Sequence, residues 1–171
     1  MDENKRIQVK SMVKGTVVVS DPNTHFVREW NKKGQINTIP FSVLNDLAYQ
    51  SGFYAMVEEG TLQILDQEAR IELGLEQEGV KSKKQFLNEN QMRAALVGTA
   101  DDVAKTIDML LPAQVEEFIQ LAVEGEYTDM AKVDVIKKKT GKDILQLVKF
   151  NRQLKEETPV EPNGVLNIKP V

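Results

Sequence analysis

The chain has 171 residues, 41% of them hydrophobic and 28% charged, and a net charge of −4. That is ordinary soluble globular composition, and the length suits one large domain or two small ones with room for a core. With no cysteine and one histidine, the chain excludes disulfides, thiolate metal sites and histidine-rich zinc sites, leaving only carboxylate sites for Mg or Ca.

The start, MDENKRIQVK, is polar and mixed in charge and carries no apolar signal-peptide segment. No apolar run approaches the roughly 18 residues that span a bilayer, so a soluble protein is expected. The first forty residues read as β. IQVKSMVKGTVVVS is rich in β-branched side chains, broken at Gly15 by a turn or bulge. SDPN, Ser20 to Asn23, is a turn signal. HFVREW then alternates, with Phe26, Arg28 and Trp30 on one face of a strand. NKKG, Asn31 to Gly34, reads as a four-residue hairpin loop, and QINTIP resumes the strand.

From Pro40 the period changes. FSVLNDLAYQ has helical spacing, with Gly52 as its expected stop. FYAMVEEG reads as a second short helix or a turn, ended by Gly60. TLQIL, Thr61 to Leu65, reads as a short strand returning to the sheet. Asp66 is placed to cap DQEARIELG, a brief helix ended by Gly74. EQEGVKSKKQ, Glu76 to Gln85, is the expected linker: polar, with basic residues at Lys81, Lys83 and Lys84.

Beyond it the patterns are helical. Residues near 88–97 end at Gly98. Thr99 opens ADDVAKTIDMLL with Asp102 three residues on, a capping-box arrangement with Asp in the Glu/Gln place. Pro112 suits a first helical position, and Val115, Phe118, Ile119, Ala122 and Val123 form an apolar stripe up to Gly125. TDMAKVDVIKKK ends at Gly141, after three lysines that suit a helix carboxy terminus, and ILQLVKFNRQLKEE follows. The tail TPVEPNGVLNIKPV has three prolines and a glycine, yet Val160, Val165, Leu166, Ile168 and Val171 are apolar. Two readings stand for it: an extended arm that docks as a strand on a neighbour, or a tail that packs on its own domain or frays.

Charge is segregated. Residues 1–40 sum to +3 and residues 41–80 to −7, whereas 81–120 sum to −1 and 121–171 to +1. The acidic middle argues against one continuous nucleic-acid surface and suits faces that meet different protein partners.

Four candidate sites follow from residue types. KVDVIKKKTGKDILQLVKFNRQ has the outline of a helix-turn-helix, with Lys142, Lys149 and Arg152 as nucleic-acid contacts. Lys137 stands where a small residue usually lets the helices approach, and Asp143 would repel phosphate, so an ordinary helical hairpin explains the segment as well. Trp30, Phe26 and the nearby cations could stack on bases, but shared placement on a strand face is core-like. Lys32 and Lys33 are left at the loop tip as a candidate protein interface, with Val165, Leu166 and Ile168 of the tail as a second. His25 has no nucleophile or orienting carboxylate in its pattern, and the pairs Glu58–Glu59, Asp101–Asp102 and Glu116–Glu117 are adjacent residues that do not converge on a helix. No phosphate loop has the Walker spacing. No catalytic residue, cofactor or metal is expected.

The block MVKGTVVVSDPNTHFVREWNKKGQINTIPFSVLNDLAYQSGFYAMVEEGTLQI and the later TGKDILQLVKFNRQ resemble small virion-associated proteins of tailed bacteriophages. The KGTV strand, the REW–KKG segment, IPF and EEGTLQI carry the resemblance, over most of residues 12–65 and again 128–153. It implies a structural part of the particle, in the capsid or the head–tail region, and transfers no site residues. The proline-rich tail departs from the pattern.

The expected fold is α+β: a small antiparallel sheet with short helices over 1–75, a polar linker 76–85, a helical bundle 86–157 and an extended arm 158–171. The expected function is a non-enzymatic virion structural protein, made in the bacterial host cytoplasm and located in the virion. Its expected partners are other virion proteins in many copies, with self-association open. Neither nucleic acid nor a membrane is expected as a partner. The alternative is a phage-encoded nucleic-acid-binding regulator, and a third reading is a hydrolase or nuclease accessory factor with carboxylate-bound metal.

Overall fold

The computed structural model describes residues 1–157. The arm and its candidates Val165, Leu166 and Ile168 lie outside the described residues. Within them the fold is α+β, with five strands and eight helices.

Strand β1 (Arg6–Ser11) is central to a three-stranded antiparallel sheet, between β4 (Ile36–Pro40) and β5 (Leu62–Ile64). Its alternation decides which face is buried: Ile7, Val9 and Ser11 point inward. Ile7 pairs with Ile39 and Val9 with Ile64. Strands β2 (Val17–Asp21) and β3 (Phe26–Trp30) form a separate two-stranded ribbon in which Val17 pairs with Trp30.

NKKG is therefore not a hairpin loop. The strands on either side of it belong to different sheets. The cause is Trp30, whose ring is fully buried and whose Nε1 donates to Val9 O at 2.9 Å. That anchor draws the end of β3 against β1, while β1 already holds β4 by its ladder. The side chains of Gln35 and Asn37 donate to Glu29 O instead of a β3–β4 ladder. Gly34 takes φ +84 in this crossing, and its N–H reaches Ser11 O at 2.8 Å.

Helix α1 (Phe41–Ala48) follows β4 directly and buries Phe41, Leu44 and Leu47. The break before α2 (Ser51–Glu58) falls at Tyr49 and Gln50, and Gly52, expected as the stop, lies in the first turn of α2. Gln50 is held away from the helix by its own side chain, which donates to Asp21 Oδ1 at 3.1 Å. Asp21 is buried and also accepts from Asn23 N and Thr24 Oγ1, so one carboxylate organises the β2–β3 turn. Helix α3 (Gln67–Glu72) starts as expected on Asp66, which accepts from Ala69 N.

The helical half comprises α4 (Glu89–Val97), α5 (Ala100–Met109), α6 (Pro112–Glu124), α7 (Met130–Thr140) and α8 (Ile144–Glu157). Both reciprocal bonds of the Thr99–Asp102 capping box are present, and Asn88–Gln91 forms a second that the sequence reading did not single out. Gly141 ends α7 at φ +74. Phe118, Leu121 and Ala122 of α6 meet Met92, Leu96, Val103, Ile136 and Ile144 in one buried cluster. A second cluster, from Ile7 to Ala69, belongs to the sheets and first helices. No helix among the described residues is long and apolar enough to cross a membrane.

Candidate functional site

The aromatic and cationic segment does not form a ligand grip. Trp30 is interior, and Arg28 lies over the Phe26 ring, 5.1 Å from its centroid, rather than over Trp30. His25 is exposed in the β2–β3 turn with φ 54. The loop-tip lysines separate. Lys32 is exposed, but Lys33 Nζ pairs with Glu117 Oε1 at 2.5 Å. For Lys33 the partner is thus supplied by α6 of the same chain.

The cations of the helical hairpin are largely met by local acids. Arg152 pairs with Glu126, its Nε at 3.0 Å from Oε1. Lys142 Nζ is 3.9 Å from Glu116, Lys137 pairs with Asp143 and Lys139 with Asp108. Lys149 is exposed, and no ion pair with it occurs among the described residues. The three candidates therefore do not form one open basic stripe.

What the fold does build is an apolar groove of about 530 Å³ where the two halves meet. Strand β5 forms its floor, Tyr54 and Val57 of α2 one wall, and Phe86 with Leu111 and Pro112 the other. The halves are tied beside it: Ala113 N donates to Glu59 O at 2.9 Å, and Leu111 packs on Gly60. Arg70 closes one end, with Nη1 donating to Ile64 O and Nε to Glu76. Lys84 donates to the carbonyls of Asp108 and Leu110.

Leu65 N bonds Gln8 O and Met12 N bonds Thr61 O, so in this register residues 61, 63 and 65 face β1. Leu62 and Ile64 turn their backbone groups the other way. Arg70 Nη1 donates to Ile64 O at 2.7 Å. Leu62 and Ile64 are fully buried. Sequence reasoning found the strand TLQIL but not this edge, because pairing direction is a tertiary fact.

No family model, curated protein or solved structure matches the chain.

The titratable groups carry local, structural shifts. Asp21 is held below the usual carboxylate range chiefly by Thr24, Asp66 by the Ala69 N–H and then Lys5, and Asp102 by the Thr99 N–H and hydroxyl. Each is a turn or cap. No group of three or more His, Asp or Glu able to hold a metal occurs among the described residues. The groove is suited to take apolar side chains between its walls.

Proposed function

We propose that the chain is a non-enzymatic structural protein of a tailed-phage particle that binds neighbouring capsid or head–tail proteins. The observation that carries the contact role is the groove of about 530 Å³ over β5, with Tyr54, Val57, Phe86, Leu111 and Pro112 in its lining. Of the charged residues that line it, Arg70, Glu76 and Lys84 are engaged with each other or with backbone carbonyls, and Glu58 is the fourth.

The particle as setting rests on the resemblance of residues 12–65 and 128–153 to small virion-associated proteins. The nucleic-acid alternative needs cations free to meet phosphate. Arg152 and Lys137 are spent on Glu126 and Asp143, which weighs against it.

Mass spectrometry of purified particles, from the phage that encodes this chain, tests the reading. The chain is expected there in fixed ratio to the other virion proteins. Its absence from intact particles would overturn the proposal.

A further inference from the structure

We propose that the groove over β5 receives the exposed face of helix α8 from a second copy of this chain, with Phe150 as the side chain that enters it. The inference rests on the reading of the groove as a contact site and deepens it by naming the partner.

Helix α8 has two apolar faces. Ile144 and Val148 are buried in the bundle. Leu147, Phe150 and Leu154 are 36%, 57% and 46% exposed. At about 100° per residue these three lie within about 60° of one another, and about 110° round the helix from the buried pair. Spacings of three and four residues are how a helix anchors its apolar face in a groove. Phe150 is the one exposed residue among the six phenylalanines. It does not serve its own groove. Arg152 pairs with Glu126, so this end of α8 lies beyond the end of α6, whereas Pro112 at the groove starts α6. The 13 residues of α6 separate the two, at about 1.5 Å per residue. Ile144 and Val148 hold α8 in that place, so the occupant is another copy.

The groove matches this face in shape and charge. Aromatic rings stand on both walls, Tyr54 on α2 and Phe86 opposite, with Val57 and Leu111 beside them. Its volume of about 530 Å³ lies in the ordinary range of pockets that enclose apolar groups. Glu58 lies one turn on from Tyr54 along α2, and no hydrogen bond or ion pair with its carboxylate occurs among the described residues. Lys149, next to Phe150, is exposed and has no ion pair among them either. With Phe150 seated, these two opposite charges meet at the rim. The groove and the α8 face are different patches, so the contact is heterologous and repeats from copy to copy in a ring or a row.

The experiment uses the full chain in sedimentation velocity over a concentration series. Phe150→Glu places charge on the α8 face, and Tyr54→Glu places it on a groove wall; both side chains are exposed, so the cores stay intact. The wild-type chain is expected to associate with rising concentration, and each variant alone at least tenfold more weakly. Mixed in equal amounts, the two variants are expected to form a heterodimer, because the intact α8 of one meets the intact groove of the other. A second pair, Glu58→Lys and Lys149→Glu, is expected to weaken association singly and to restore it when mixed, and it decides the matter should a first variant lose its helical circular dichroism. A wild-type chain that stays monomeric, a Phe150→Glu chain that associates like wild type, or mixtures that fail to recover would each overturn the proposal. So would a Tyr54→Glu chain that associates like wild type, the result expected if α8 pairs with α8. The particle measurement reads separately: a chain absent from particles that still associates in this way sinks the virion reading alone, and a monomeric chain found in particles sinks this one alone.

Discussion

Lys33 Nζ lies 2.5 Å from Glu117 Oε1, joining the crossing after β3 to helix α6 of the bundle. Both side chains are mostly shielded, at 28% and 11% exposure, so the pair is worth more than a surface bridge and less than a fully buried one. Lys33→Met leaves Glu117 without its partner and is expected to lower stability by about 1–2 kcal/mol. The double variant with Glu117→Gln is expected to cost less than the two single changes together, a coupling of about 1 kcal/mol. Urea unfolding of the four proteins measures it, and additive losses would dissolve the link between the halves.

Gly60 holds the same junction from the other side. Its φ is +84, and a Cβ there would sit 2.8 Å from Leu111 Cβ and 2.9 Å from its Cδ1. Gly60→Ala therefore meets both a backbone penalty of about 1–2 kcal/mol and an overpacking penalty of about 1–3 kcal/mol. Gly141→Ala has a similar φ, +74, but open space around the new methyl, so only the first penalty applies. The expected order of thermal midpoints is wild type, then Gly141→Ala, then Gly60→Ala. Equal losses would mean that Leu111 gives way freely.

Local features were legible in the sequence where one residue decides them. Asp66, Thr99 with Asp102, Pro112 and Gly141 start or stop their helices as their chemistry requires. The stripe from Phe118 to Val123 is buried as its period demands. The failures are places where a distant partner wins. Gly52 looked like a stop, but Gln50, held by Asp21 from another element, breaks the helix first. NKKG looked like a hairpin loop, but Val9 captures Trp30 and sends the next strand to a different sheet. Lys33 looked like an exposed contact because nothing local hints that α6 will arrive with Glu117. The groove was invisible for the same reason, since its walls come from residues 54 to 112.

Stability is expected to fall in acid through three capping carboxylates. Asp21, Asp66 and Asp102 all have folded pKa values below their ordinary one, because turn and cap donors favour the charged form. A depressed folded value means that the unfolded chain takes up protons first. The contribution is complete above the ordinary Asp value of about 3.9 and is lost as pH falls through the folded values. Urea midpoints should be flat from neutral pH to about pH 5 and drop below it. Asp102→Asn should flatten part of that drop, as Thr99 then faces an uncharged partner at every pH. An unchanged slope in that variant would remove the cap from the account.

Trp30 offers the sharpest test of why the two sheets separate. Its ring is buried and its Nε1–H is spent on Val9 O. Trp30→Phe keeps much of the bulk and deletes that bond, for an expected loss of about 1–2 kcal/mol. Trp30→Ala also empties the space and is expected to lose about 3–5 kcal/mol. As the chain has one Trp, wild-type fluorescence reports this site alone. Its emission should resist an aqueous quencher until global unfolding and then become accessible in a single step with the loss of helical signal. If the ring became accessible before the helices melted, β3 would be a loosely attached ribbon, and Trp30 would not be what holds it against β1.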